Sequence, residues 1–388
     1  MPQGGGFLIA GKRYFNTNPE FIFSFEEYKD INLETIRYYN LESKYKINPS
    51  ILDLEKYKNK LDFVFVITPC NDLSSNSPNF STERTISEEA CSIDILYKVI
   101  NDLVVYVKPK FIIGENAEYL SKNMGRYVRI NLNKILFENR YSSTYITINA
   151  VDYGVPQKRT RTYYIFYKGD KSIKLPFIKE KVDYVKWLYE KEKTYLPNDY
   201  YHNKERARKL LEEDWFYKFI IYYYGKDFRT KLQKVKKKTF QNTIFFDQQI
   251  YKEFYEFLVE NNQLELANWV KSKFKNCETK KRIYDNSLQY YTDRSRVIIS
   301  RFVDKIVHPV EDRLLTYREM MTLQGFPVDM FFSFDVYENQ KLFGKIIGKS
   351  IPADVGYKII DLIVKQEYNF YNSNYLIMDN VKQEVIKE

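Results

Sequence analysis

Two short apolar runs, Asp62–Thr68 (DFVFVIT) and Lys110–Gly114 (KFIIG), constrain this chain more than any other feature. Neither alternates polar with apolar residues, so neither suits a strand with one face in water. Uninterrupted runs of this length belong to strands buried on both faces, as in a parallel sheet. Phe21–Phe25, Tyr145–Asn149 and Tyr163–Tyr167 are further strand candidates. Helical stretches lie between them. Ile31–Asn40 reads as helix, and Glu88–Val107 sets Ile93, Leu96, Val99, Ile100 and Leu103 on one face. Strands alternating with helices predict an α/β fold with a parallel sheet covered on both sides.

The pattern changes near Asp170. From Lys179 to about Phe240 the chain is charged and helical, with a basic run at Lys236–Lys238. Periodicity is poor from there to about residue 310. Order returns at Arg313–Gln324, where Thr316 and Glu319 have capping-box spacing, and a last helix is expected over Val355–Lys365. With 388 residues and 44% hydrophobic content, the chain can build one large domain plus a smaller one. Lys and Arg outnumber Asp and Glu by 61 to 51, a net charge of +10. That surplus suits a polyanionic partner, or simply a lysine-rich proteome. The 36 Tyr and 28 Phe serve base stacking or core equally well. Three cysteines and two histidines are too few for a disulfide framework or a zinc cluster, so no metal is expected. No apolar run reaches membrane-spanning length and no leader is evident, so a cytoplasmic protein without a membrane partner is expected.

Three places carry chemistry-bearing residues. In Thr68-Pro69-Cys70-Asn71, a thiol lies just past the end of a buried strand, where open α/β sheets bind ligands. Alone, Cys70 reads as a nucleophile or as a small buried hydrophobe. Gly114-Glu115-Asn116 ends another buried strand, 45 residues downstream of Cys70. Glu115 there suits a general acid or a helix cap. In Asn149–Arg161, Gln157, Arg159 and Arg161 follow a Tyr-Gly turn. Two arginines at i and i+2 suit a grip on phosphate and a base oxygen, or a solvated strand edge.

Taken together these residues resemble the DNA cytosine-5 methyltransferase family. Asn149–Arg161 matches the block N-A-x-D-Y-G-[IV]-P-Q-x-R-x-R. Arg313–Glu319 and Leu323–Pro327 match R-x-L-T-x-R-E and L-Q-G-F-P, and Gly348–Pro352 is similar to G-N-[AS]-[VI]-P. The blocks keep the family's order across nearly the whole chain. The resemblance implies a doubly wound, Rossmann-like methyltransferase sheet with a smaller target-recognition domain. It places the catalytic domain at 1–178 plus 338–388 and target recognition at 179–337, with base contacts expected from residues 225 to 300. It implies that Cys70 adds to C6 of a flipped-out cytosine and that Glu115 binds the N3/N4 edge and protonates N3. Asn116 would shape that loop, Arg161 reach O2, Arg159 hold phosphate and Gln157 order its loop.

The implied methyl donor is S-adenosylmethionine. Gly4-Gly5-Gly6-Phe7 resembles the end of the family's glycine turn, and Glu26, with Glu27 as competitor, stands where the ribose is held. Ile51, Pro69 and Ser350 complete the expected cofactor set. Several positions depart from the family. The aspartate near the adenine is replaced by Ser50-Ile51, Asn71 follows Cys70 in place of Gln, Thr68 precedes Pro69, and Lys349 replaces an asparagine. The family's first strand and the aromatic opening of its glycine turn are not seen ahead of Gly4. A start site upstream, a complementing subunit or a degenerate relative would each account for that. The expected partners are double-stranded DNA and, in a restriction–modification pair, a cognate restriction endonuclease, with the protein at the nucleoid. The competing readings are a transfer-RNA cytosine-5 methyltransferase and a non-catalytic DNA-binding subunit.

Overall fold

A computed structural model describes residues 4–69, 73, 91–171, 173–176, 178–207, 209, 212, 214–225, 228, 231, 248–272, 295–298 and 306–367. The first half runs α1 (Gly6–Phe15), β1 (Ile22–Ser24), α2 (Lys29–Tyr38), β2 (Tyr45–Ile47), α3 (Ile51–Glu55) and β3 (Phe63–Ile67). It continues with α4 (Cys91–Asp102), β4 (Phe111–Ala117), α5 (Arg126–Glu138), β5 (Tyr141–Asn149) and β6 (Thr160–Lys168). Then follow α6 (Tyr184–Glu192), α7 (Trp215–Tyr224), α8 (Gln248–Glu260), α9 (Leu264–Ser272), α10 (Tyr317–Leu323) and α11 (Gln340–Lys349). A last helix, α12, spans 353–367.

The chain divides into two compact units, 1–182 with 321–388, and 183–320. Residues 321–337, assigned from the sequence to the smaller domain, therefore fall with the first unit. Their bonding explains why. Glu34 accepts from the backbone and hydroxyl of Ser333, both at 2.7 Å, and Gln324 donates to the Ile347 carbonyl at 2.8 Å.

In the first unit, β3, β4, β6 and β5 form one sheet in that order, and β1 and β2 form a separate parallel pair. β3 and β4 are parallel, but β6 runs antiparallel to both its neighbours. The expectation of a wholly parallel sheet is corrected here. Only residues 150–159 link β5 to β6, too few for a crossover helix, and a link that short permits only an antiparallel neighbour. The fold class stands: a mixed α/β sheet with helices on both faces.

One face is closed by α4 and α5. Ile93, Leu96, Val99, Ile100 and Leu103, the stripe read from the sequence, are all buried there with Ile112 and Phe166. Burying five such side chains contributes on the order of 10 kcal/mol before the entropy of ordering the helix is subtracted. The other face is closed by Phe7 of α1 and by Val355, Ile359 and Ile363, one stripe of α12. The second unit has its own core, built where α7, α8 and α9 bring Phe216, Phe219, Phe254 and Leu258 together. Its polar interior is fully paired at two points: Arg318 with Asp199 at 2.5 Å, and Arg313 with Glu319 at 2.9 Å.

Candidate active site

The carboxyl ends of β3 and β4 meet in register, with Ile67 beside Glu115. β4 runs to Ala117, longer than the apolar run suggested, so Glu115 and Asn116 lie within a fully buried strand. That rules out the helix-cap reading of Glu115. The strand can approach β6 closely because residue 114 has no side chain. A Cβ on Gly114 would lie 2.0 Å from the Tyr164 ring.

Past β3 the chain is fixed by Asn116. Its Nδ2 donates to Thr68 Oγ1 at 3.2 Å and to the Pro69 carbonyl at 3.5 Å, while its Oδ1 accepts from the backbone of Ala117. The amide thus holds the end of β3 at the residue before position 70. Thr68, a departure from the family pattern, supplies the anchoring hydroxyl, a role the sequence did not signal. Cys70 and Asn71 lie outside the described residues, as do Lys234 and the basic run Lys236–Lys238.

Glu115 is 4% exposed, and its Oε1 lies 2.9 Å from Arg161 Nε. Register explains the pairing. Arg161 stands opposite Ala117, two residues along β4 from Glu115, so both side chains fall on one sheet face. Burial pushes the Glu115 carboxyl above its ordinary value, and the positive charges of Arg161 and Arg159 only partly oppose this. A carboxyl in that position can hold a proton and donate it, as a general acid must.

Arg159 does not fit the phosphate-holding role expected of it. It is 3% exposed, and its Nη1 donates to the Gly348 carbonyl at 3.2 Å. Its charge is turned inward, toward Glu115 and the end of α11. Gln157 is also buried and donates to the Leu323 carbonyl at 3.5 Å. The Gln-x-Arg-x-Arg segment therefore ties β6 to the two later sequence blocks. Gln324, buried, donates to the Ile347 carbonyl, and Tyr163 and Tyr164 are buried on opposite faces of the sheet beside this segment. None of the three was singled out as functional from the sequence.

The expected cofactor residues stand at one end of the fold. Glu26 follows β1, Ile51 follows β2 and Pro69 follows β3, all at the carboxyl ends of parallel strands, where such sheets hold ligands. Gly4 and Gly5 have φ of 72° and 95°, and added Cβ atoms would strike Ile346 O and Thr35 Oγ1 at 2.3 and 2.4 Å. The turn must be glycine to bring α1 against α2 and α11. Ser350 is buried at that contact. Glu26 is exposed and paired with Lys29. Ser50 caps α3 in a capping box with Asp53, leaving Ile51 about half exposed. Lys349 lies over the Tyr28 ring, 4.9 Å from its centroid. A glycine turn leading into a helix N-terminus, an acidic residue after the next strand and an exposed apolar side chain fit an adenosyl group. Among the described residues no cluster suits a metal ion, and no helix is long and apolar enough to cross a membrane.

Comparison with known proteins bears directly on this geometry. The sequence pattern of the C-5 cytosine-specific DNA methylase family matches residues 16–365. The Type II methyltransferase M.NgoPII of Neisseria gonorrhoeae is 38% identical over 72 residues, 19% of this chain and 21% of its own length. The match thus spans about a fifth of that relative. The solved structure of the Entamoeba histolytica methyltransferase EhMeth superposes with a TM-score of 0.57 at 13% identity, over 94% of this chain and 96% of its own. That likeness concerns the fold.

Proposed function

The chain belongs to the C-5 cytosine-specific DNA methylase family, and we propose that it methylates C5 of cytosine in double-stranded DNA with Cys70 as nucleophile. The observation that carries the proposal is the buried Glu115–Arg161 pair, set beside a strand end that Asn116 fixes one residue short of Cys70. The family's methyl donor is S-adenosylmethionine, which when bound supplies an electrophilic methyl group. Gly5, Gly6, Phe7, Glu26, Ile51, Pro69 and Ser350 are the residues proposed to hold it.

The target carbon lies inside a base stack, so the cytosine must first be flipped out. The Cys70 thiolate then adds to C6, and the ring electrons move toward N3, where Glu115 delivers its proton. C5 becomes nucleophilic and takes the methyl group. A base, such as a water molecule, then takes the C5 proton, the C5–C6 double bond re-forms as the C6–sulfur bond breaks, Cys70 leaves as thiolate, and N3 returns its proton to Glu115. Arg161, 2.9 Å from Glu115, steadies the carboxylate once its proton has left, and in this reading it also meets O2. Target recognition is assigned to the unit 183–320. The Type II relative suits a role beside a cognate restriction endonuclease.

Bisulfite sequencing of DNA from cells expressing the chain tests this, with Cys70→Ala as control. Methylated cytosine at a defined sequence is expected from the parent and none from Cys70→Ala. Methylation that survives Cys70→Ala would overturn the mechanism.

A further inference from the structure

Helix α5 is apolar on two opposite sides. Val128, Leu132 and Leu136 are buried in the core of the first unit. Tyr127, Ile130 and Phe137 face away from it and are 61%, 54% and 83% exposed. No other large apolar side chain among the described residues is as exposed as Phe137. Single exposed apolar residues are ordinary. These three are not scattered, because steps of three and seven keep them on one stripe of the helix. Lys134 stands between Ile130 and Phe137, and its carbon stem continues the stripe. Steps of three, four and three result, the spacing of a seam between two helices.

The charges at the ends of α5 are reversed. It begins on Arg126 with no acid in its first turn, and it ends on Glu138 with no base in its last turn. Both oppose the helix dipole, which favours acids at the start and bases at the end. Arg129 is accounted for within the chain, since its Nη1 donates to the carbonyls of Leu120 and Lys122. Arg126 and Glu138 are exposed, and neither has an ion-pair partner among the described residues. A second α5 laid antiparallel answers the stripe and the charges in one register. Set Ile130 level with the second copy's Lys134. Tyr127 is then level with the second copy's Phe137, and Arg126 with its Glu138, because each pair is equally spaced about Leu132. Ring meets ring, and the isoleucine lies against the lysine stem. Arg126 meets the negative end of the other helix, and Glu138 its positive end, so both charges become favourable. A two-fold axis level with Leu132 makes the contact twice over, as in isologous pairs. A parallel pair would instead set Arg126 against Arg126 and Lys134 against Lys134. An unrelated apolar partner would cover the stripe and leave the reversed charges unexplained.

We propose that the outer face of α5 is a self-association surface, on which two copies of this chain pair through antiparallel α5 helices. A contact one helix long, about 20 Å, buries less than the roughly 800 Å2 per partner of a stable complex. The pair is therefore reversible and depends on concentration.

Sedimentation equilibrium of the 388-residue chain from about 5 to about 200 µM tests this. The mean mass should climb from one chain toward two. Phe137→Gln should weaken association about tenfold or more, because each pair loses two buried rings. Glutamine is a good helix former and Phe137 is exposed, so the melting midpoint should not move. Arg126→Glu should weaken association about threefold or more, and adding Glu138→Arg should recover most of that loss. With benzoylphenylalanine at position 137, illumination should join light to heavy isotope-labelled chains. A mass of one chain at the highest concentration would overturn the proposal, as would association that Phe137→Gln leaves unchanged. Failure of Glu138→Arg to rescue Arg126→Glu would overturn the antiparallel register. Cross-links confined to single chains would give the stripe to another segment of the same molecule, and the second copy would lose it.

Discussion

At the scale of single residues, Glu115 concentrates the proposed chemistry. Its carboxyl is raised above 4.5 by burial, against the pull of two arginines. The folded chain therefore holds a proton there that the unfolded chain has already released. Above the ordinary carboxylate range this costs stability, and the cost grows as pH rises through the raised value. Glu115→Gln removes the titration. In thermal melts, the difference between variant and parent should move in the variant's favour from pH 4 to pH 8. A constant difference would show that Glu115 does not titrate above its ordinary range. Activity should move the other way, falling about a hundredfold or more in Glu115→Gln, because the amide cannot deliver a proton to N3. This shift could not be read from the sequence. It showed a carboxylate near a strand end, whereas burial and the diagonal contact with Arg161 come from the register of β4 and β6. Arg159 is the opposite case. Its spacing from Arg161 suggested two exposed grips, and packing against the end of α11 turned one of them inward.

At the scale of elements, legibility followed periodicity. The α4 stripe and the β3 run were plain because burial on a regular element leaves a repeat in the sequence. The direction of β6 was not, since an apolar strand reads alike in either orientation and only the short 150–159 link sets it. α10 was legible through its cap. Thr316 Oγ1 accepts from the Glu319 backbone at 3.2 Å, and Glu319 Oε2 accepts from the Thr316 backbone at 2.7 Å. The sequence did not show that the same carboxylate also takes both terminal nitrogens of Arg313, each at 2.9 Å. Arg313 and Glu319 are 5% and 2% exposed, so removing Glu319 takes away the buried partner of Arg313's two terminal nitrogens and leaves it only Glu311, at 2.8 Å from its Nε. Glu319→Ala should therefore cost about 3–5 kcal/mol, far more than a cap of about 1 kcal/mol. Urea unfolding followed at the second unit's tyrosines would measure it. A loss near 1 kcal/mol would mean that Glu319 acts as a cap and no more.

At the scale of the whole molecule, charge decides which partners the chain can bind. A surplus of ten positive charges is compatible with DNA or with nothing in particular. The structure narrows this, because many lysines are already matched within the chain: Lys98 with Asp102, Lys110 with Glu367, Lys358 with Glu180. Binding to phosphate would have to come from cations outside such pairs. Each phosphate so neutralised releases a counterion, and affinity then falls as a power of salt concentration. If the chain engages duplex DNA through even half of its surplus, affinity for a non-specific duplex should drop about a hundredfold or more between 50 and 200 mM salt. Fluorescence anisotropy with a labelled duplex reads this directly. Cys70→Ala should follow the same line, since in the proposed mechanism the thiol serves the covalent step and not phosphate contact. A flat salt response in both proteins would mean that the surplus charge is solvated surface, and duplex DNA would lose its place as the substrate.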